Sequence, residues 1–138
     1  MKRNATAVWN GTGKEGTGQM STQSTTLNKA QYSYKSRFEE GVGTNPEELM
    51  AAAHAGCFSM KLAFELNAAN FTADEIQTSC NITLDPAKGI TTSELKCTAK
   101  VPGINAEKFQ ELAKKAKAEC PVSKAYSALE ITLVATLA

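Results

Sequence analysis

The segment Thr44–Met60, TNPEELMAAAHAGCFSM, decides the fold, because it starts a long helix that carries almost no charge after its first turn. Its first five residues include capping side chains, a proline and two glutamates, which suit the first turn and the positive end of a helix dipole. The residues that follow are apolar on nearly every face, and a helix of this kind is normally covered all round. We therefore predict a buried central helix that runs to about Asn67.

The length and the net charge of the chain limit the number of domains and the kinds of binding partner. The chain has 138 residues, which favours one domain over residues 1–138. A net charge of +1 gives no basic surface for nucleic acid. The central helix contains His54, Lys61 and Glu65, which argues against a membrane span, and the first residues do not resemble a secretory signal. We expect a cytoplasmic protein, in which four cysteines are kept reduced.

The remaining segments predict an α+β fold of order βββ-α-ββ-α-β, with an antiparallel-rich sheet. Alternating side chains and turn residues mark the strands, and an apolar stripe marks a second helix that Asn105 caps. The predicted strands are Ala5–Trp9, Gln19–Leu27, Gln31–Phe38, Ile76–Leu84, Ile90–Val101 and Glu130–Leu137. The second helix ends near Cys120–Pro121, and a turn through Val122–Ala128 leads to the last strand.

Two of the four cysteines, Cys57 and Cys120, differ in their predicted electrostatic setting. Cys57 is in the middle of the central helix, beside the small residues Ala53 and Gly56. These residues allow either close helix packing or room for a substrate. Cys120 follows Glu119 at the C-terminal end of a helix, where the dipole disfavours a thiolate. Cys57 is therefore the more easily ionised of the two thiols.

A reactive Cys57 needs a nearby cation. A free thiol has a pKa of about 8.5, so lowering it by two units corresponds to about 2.7 kcal/mol. A guanidinium in a charge-assisted contact supplies an effect of this size. Arg37 is the candidate, because it precedes the helix by a short connection and keeps its charge.

Glu47 precedes Cys57 by ten residues, which is about 15 Å along a straight helix. Its carboxylate cannot reach the sulfur of its own helix. If both belong to one site, the helix must pair with a second copy or break between them. Pairing also covers an apolar helix that a small domain cannot cover alone, so we predict a homodimer with two sites at the interface. The alternative is that Glu47 only complements the helix dipole.

Four motifs make the chain resemble the OsmC branch of the OsmC/Ohr family over nearly its whole length. They are Ser36–Glu39, Thr44–Leu49, His54–Met60, and Lys115–Lys117 together with Cys120–Ser123. The resemblance implies a cofactor-free thiol peroxidase that acts on organic hydroperoxides. It also implies an interlocked homodimer with active sites between the subunits.

Carried over to this chain, the family pattern makes Cys57 the peroxidatic thiol and Cys120 the resolving thiol. Arg37 would stabilise the thiolate and polarise the peroxide, and Glu47 would hold Arg37. The sulfenic acid formed on Cys57 would condense with Cys120 to a disulfide, which a small dithiol or lipoyl-type reductant would reopen. A pocket lined by Met50, Phe58 and Met60 would favour bulky organic peroxides.

Several residues outside this pattern keep alternative interpretations. Cys80 and Cys97 lie on the two strands of the middle hairpin and are expected to be core thiols. His54, one turn before Cys57, is either a hydrogen-bonded packing residue or a group that tunes the thiol. Glu39 and Glu40 compete with Glu47 as partners of Arg37.

Two other functional classes are alternatives to the peroxidase. One is a non-catalytic dimeric stress protein that binds a lipid-like ligand in an interfacial pocket and carries incidental thiols. The other is a zinc protein, which the sequence disfavours because it has one histidine and no Cys-x-x-Cys pair. We therefore expect no metal.

Overall fold

The computed structural model describes residues 1–138 and divides them into two compact units, Met1–Leu49 and Met50–Ala138. Six strands and four helices make up the chain. In order they are β1 (Ala5–Asn10), β2 (Thr17–Thr22), β3 (Ala30–Ser33), α1 (Tyr34–Phe38), α2 (Pro46–Ala68), β4 (Glu75–Asp85), β5 (Gly89–Lys100), α3 (Ala106–Glu119), α4 (Pro121–Ala125) and β6 (Glu130–Leu137). The predicted α+β class and the long helix are confirmed, and α1 and α4 are additional elements.

The first unit contains an antiparallel meander in the order β1-β2-β3. The predicted third strand, Gln31–Phe38, is wrong in its second half, which forms α1. The reason is local: Ser33 and Ser36 each accept a hydrogen bond from the other's backbone N–H, and this capping box starts a helix. The second predicted strand is also too long, because β2 ends at Thr22 and a turn follows.

The second unit contains a separate sheet in the order β4-β5-β6, so the molecule has two sheets where the sequence predicts one. Strands β4 and β5 form an antiparallel hairpin, whereas β5 and β6 are parallel. The chain between β5 and β6 contains α3 and α4, and a crossover of this length permits a parallel pair. Alternate residues of β5 from Ser93 to Ala99 are buried, as the strand period requires.

One hydrophobic cluster forms the core of the second unit. It combines the buried stripe of α3 with one face of α2 and the inner face of β5. Its largest members are Phe58, Leu62, Leu66, Leu95, Phe109 and Leu112. The predicted apolar stripe of α3 is therefore confirmed as the buried one.

The opposite face of α2 is not covered within a single chain. Ala53 and Gly56 are exposed, and Met60 and Phe64 keep 65% and 63% of their surface accessible. The expectation of a helix covered all round therefore does not hold for one chain alone. A continuous apolar stripe on a helix is instead typical of a surface that another chain covers.

Candidate active site

The short helix α1 is fastened to the start of α2 by hydrogen bonds around Ser36. The Ser36 hydroxyl donates to the Thr44 carbonyl oxygen (2.9 Å), and the Asn45 side-chain amide donates to the Ser36 carbonyl oxygen (3.0 Å). Gly43 permits this return of the chain. Its φ is +118°, and a Cβ there would lie 2.4 Å from the Gln31 carbonyl oxygen. Arg37 on α1 is thus brought beside the first turn of α2.

Arg37 and Glu47 form an ion pair in the first unit. The Arg37 Nε donates to both carboxylate oxygens of Glu47, at 3.0 and 3.2 Å, and Nη2 donates to Oε1 at 2.6 Å. Neither Glu39 nor Glu40 is a partner of Arg37. Several bonds to one carboxylate fix the plane of the guanidinium more firmly than a single contact does. About a third of the Arg37 side chain remains accessible, so its outer edge can contact another group.

Cys120 lies at the junction of α3 and α4 and belongs to both helices. It is the C-cap of α3, as the sequence predicts, and also the N-cap of α4, where its Sγ accepts a hydrogen bond from the Ser123 N–H at 3.5 Å. The predicted turn through Val122–Ala128 is wrong at its start. Pro121 at the first position of α4 is the sequence signal for this second helix. The sequence pattern indicated only the negative C-terminal end of α3 at Cys120. The positive N-terminal end of α4 faces the same sulfur, so the prediction of an unfavourable dipole there is incomplete.

Cys57 and Cys120 meet in the second unit. Their sulfur atoms are 2.7 Å apart, share a hydrogen bond and are not covalently joined. Cys120 is completely buried, whereas Cys57 is partly accessible. The structure thus brings the four candidate residues together as two pairs, one in each unit. A partly open thiol beside a buried one can meet a solvent-borne oxidant and then pass the oxidation to its neighbour.

The surroundings of Cys57 within one chain do not favour its thiolate. Burial raises the pKa of Cys57, and the hydrogen bond with Cys120 raises it further, whereas the Val122 backbone N–H lowers it. No positively charged side chain contributes to this shift. The predicted depression of the Cys57 pKa is therefore absent from the single chain.

His54 is completely buried and does not bond to Cys57. Its Nδ1 lies 2.6 Å from the Ser93 Oγ, and its Nε2 lies 2.8 Å from the Ser123 Oγ. Burial lowers the pKa of His54, which keeps the ring neutral at physiological pH. Of the two interpretations, the contacts match the hydrogen-bonded packing residue. The sequence pattern did not identify Ser93, and it included Ser123 in a motif without predicting its contact with His54.

The two other cysteines are free thiols, and Cys97 is buried as expected of a core residue. Cys80 is only partly buried, and its Sγ lies 3.2 Å from the Ser93 Oγ. The predicted pocket lined by Met50, Phe58 and Met60 is wrong. Phe58 is entirely within the core and Met60 is on the surface.

No group of three or more histidine, cysteine or acidic side chains has an arrangement that would hold a metal ion. None of the four helices combines the length and the hydrophobicity that a bilayer span demands.

Comparison with known proteins identifies the family of this chain. A family model described as OsmC-like protein matches residues 39–134, which include Glu47 and both paired cysteines. The chain is also 48% identical to the Peroxiredoxin OsmC of Escherichia coli strain K12, over 92% of this chain and 90% of that protein. The chain belongs to the OsmC-like family. The resemblance based on the sequence motifs is therefore confirmed.

More distant members of the family support the same assignment. The organic hydroperoxide resistance protein OhrB of Bacillus subtilis is 34% identical over 63% of this chain and 65% of that protein. The crystal structure of an OsmC-like protein from Mycoplasma pneumoniae superposes with a TM-score of 0.77. It covers 99% of this chain and 97% of that one at 15% identity. Because the sequence identity is only 15%, this structural similarity shows a common fold and nothing more.

Proposed function

We propose that this protein reduces organic hydroperoxides to alcohols through Cys57 and Cys120. The enzyme class, a cysteine-based peroxidase, follows from the family and from the relatives named peroxiredoxin and organic hydroperoxide resistance protein. The observation that carries the proposal for this chain is the 2.7 Å contact between a partly accessible thiol and a buried one.

The proposed reaction starts with attack of the Cys57 thiolate on a peroxide oxygen. The O–O bond breaks, the organic fragment takes a proton and leaves as the alcohol, and Cys57 becomes a sulfenic acid. The Cys120 thiol then attacks the Cys57 sulfur, and the hydroxyl group leaves as water while the disulfide forms. A dithiol reductant of the small-molecule or lipoyl type restores both thiols by exchange.

In this proposal, Arg37 stabilises the thiolate and polarises the peroxide, and Glu47 fixes the guanidinium. The several hydrogen bonds between the two side chains support the second role. Because ten helical residues rise about 15 Å, we assign the Arg37–Glu47 pair of one protomer to the Cys57 of its partner. Such a contact would provide the cation that Cys57 lacks in the single chain.

A homodimer is part of the same proposal. The exposed apolar stripe on α2, which includes Met60 and Phe64, supports it because such a surface is unfavourable in water. Two copies of one stripe packed around a two-fold axis would cover each other.

A cavity of about 240 Å³ in the first unit supports the preference for organic peroxides. Aromatic side chains and Arg37 line it; the aromatic ones are Trp9, Tyr32, Tyr34 and Phe38. The Arg37 guanidinium also lies 5.1 Å from the centre of the Phe38 ring. Apolar walls beside a cation suit a substrate that has both an organic group and a polar O–O end. Hydrogen peroxide has the O–O bond but no organic group.

The deciding experiment is a titration of free thiols before and after one equivalent of cumene hydroperoxide. We expect the loss of two thiols per chain and an intramolecular Cys57–Cys120 disulfide. Cys57→Ser should abolish peroxide consumption, and Cys120→Ser should give one turnover and a trapped sulfenic acid. Cys80→Ser is the matched control and should behave as the unmodified protein does.

Two results would contradict the proposal. Turnover by Cys57→Ser would show that the roles of the cysteines are wrong. An unchanged thiol count with bound peroxide intact would favour the non-catalytic alternative, a dimeric stress protein with a lipid-like ligand. Comparing rates with cumene hydroperoxide and hydrogen peroxide tests the organic preference.

A further inference from the structure

We propose that His54 is a positioning residue for the resolving step: through Ser123 it holds α4, and with it Cys120, against Cys57. This inference rests on the proposed function, since it concerns how the second cysteine is presented to the first. His54 contacts neither sulfur, so it acts through another residue.

Three secondary-structure elements meet at the His54 ring. His54 belongs to α2, Ser93 to β5 and Ser123 to α4, and all three side chains are buried. Ser123 is the link to the chemistry, because its side chain bonds His54 while its backbone N–H bonds the Cys120 sulfur. One residue therefore joins the histidine to the resolving thiol.

The helix α4 needs such a link because it has only five residues. A helix of that length is not stable by its own hydrogen bonds. At its C-terminal end, the Tyr126 hydroxyl donates to the Met50 carbonyl oxygen at 3.3 Å, and the Tyr126 ring packs edge-on against His54. At its N-terminal end, two side-chain bonds reach α2: Cys120 bonds Cys57, and Ser123 bonds His54. The Cys120–Cys57 thiol contact is itself changed by the reaction, so the Ser123–His54 bond is the tie that stays when Cys57 is oxidised.

Counting hydrogens assigns the direction of the bonds. The Ser123 hydroxyl has no acceptor other than His54 Nε2, so it donates there. The proton of the neutral ring is then on Nδ1 and is donated to the Ser93 Oγ, which leaves the Ser93 hydroxyl to donate to the Cys80 sulfur. Every member of this chain of bonds has a partner, which fixes the ring in one orientation.

The consequence for the reaction is a separation of its two steps. Attack of Cys57 on peroxide does not use the Cys120 thiol. Loosening α4 weakens both the Val122 N–H contact, which lowers the pKa of Cys57, and the Cys120 contact, which raises it, so the two changes oppose each other in this step. Condensation of the Cys57 sulfenic acid with the Cys120 thiol, which releases water, should slow. The sulfenic acid then has time to react with a second peroxide, which oxidises it to sulfinic acid and is itself reduced to alcohol.

The test compares two variants of the full-length protein that each remove one hydrogen bond to His54. In Ser123→Ala we expect the rate of the first attack on peroxide to change by less than about twofold and disulfide formation to slow about tenfold. Dimedone trapping of the sulfenic acid and inactivation by excess cumene hydroperoxide should both increase. Ser93→Ala removes the bond on the other side of the ring and should keep a disulfide rate within about twofold of the unmodified protein, even with a similar loss of thermal stability.

Ser123→Thr keeps the hydroxyl and should restore fast condensation. Disulfide formation at an unchanged rate in Ser123→Ala, or equal slowing in Ser93→Ala, would overturn the inference.

Oxidation by diamide gives an independent measurement, because it joins neighbouring thiols without a peroxide. If diamide but not peroxide forms the Cys57–Cys120 disulfide in the unmodified protein, the proposed function fails, and the diamide rates of the variants still decide the role of His54.

Discussion

At the scale of single residues, the contrast between the two paired cysteines is the central chemical feature. Burial and the Cys120 contact raise the pKa of Cys57, and only the Val122 N–H acts in the opposite direction. A thiol in this state is almost entirely protonated at neutral pH. The proposed reaction therefore requires a cation from outside the single chain, and the Arg37 of a partner protomer is the group we assign to it.

This assignment predicts the effect of Arg37→Lys. A lysine keeps the charge but loses the planar, several-bonded contact with Glu47, so its position over a thiolate is no longer fixed. We expect the pKa of Cys57 to rise and the peroxide rate at pH 7 to fall about a hundredfold. The pH dependence of iodoacetamide labelling at Cys57 measures the pKa directly. Arg3→Lys, at an exposed position, is the control. An unchanged labelling profile would remove Arg37 from the mechanism.

At the scale of secondary-structure elements, the two five-residue helices determine where the site residues lie. Helix α1 carries Arg37, and α4 follows Cys120 directly. Neither is long enough to be stable alone, so tertiary hydrogen bonds hold each in place. For α1 these bonds involve Ser36, and for α4 they involve Ser123. Substitutions that remove the Ser36 or Ser123 hydroxyl should therefore displace Arg37 or Cys120 more than they unfold the protein.

The long helix α2 is joined to α3 by a network of ion pairs. Glu65 contacts Lys61 at 2.6 Å and Lys115 at 2.7 Å, and Lys61 also contacts Glu119. Hydrogen bonds from Lys115 and then Lys61 lower the pKa of Glu65 from 4.5 to about 2. Because the pKa is lower in the folded state, the contribution to stability is complete above about pH 4.5. It is lost as the pH falls towards 2.

We therefore expect Glu65→Gln to lower the free energy of unfolding at pH 7, with a difference that shrinks between pH 4.5 and pH 2. Urea unfolding at a series of pH values measures it. Glu111→Gln removes an exposed ion pair with Lys108 and should have a much smaller effect. A Glu65→Gln deficit that stays constant down to pH 2 would mean that packing, and not charge, is the cause.

At the scale of the whole molecule, the proposed dimer explains two features together. The apolar stripe of α2 is exposed in one chain, and Cys57 has no cation in one chain. Pairing two chains through α2 would cover the apolar stripe and would supply a cation to Cys57. The proposal thus makes activity depend on assembly.

Mixing inactive variants tests this dependence. Cys57→Ser and Arg37→Ala should each be inactive alone. After joint unfolding and refolding, half of the dimers contain one subunit of each kind, and each of these has one site with both an intact Cys57 and the partner's Arg37. We expect recovery of about a quarter of the original activity. Recovery of no activity from verified mixed dimers would place both residues of a site in the same chain.

The sequence by itself determined the α+β class, the long apolar helix, the buried stripe of α3 and the family, because each depends on local periodicity or on contiguous motifs. Only the tertiary structure decided the contacts of Ser93 and Ser123 with His54, the pairing of Arg37 with Glu47 over its acidic neighbours, and the separation into two sheets. Capping by Ser33 and Ser36 overrode the alternating pattern at Tyr34–Phe38. The bounds of the last strand agree with the prediction, and the crossover through α3 and α4 decided only that β6 pairs in parallel with β5. The physical reason is that hydrogen bonds between distant residues leave no periodic signal in the sequence.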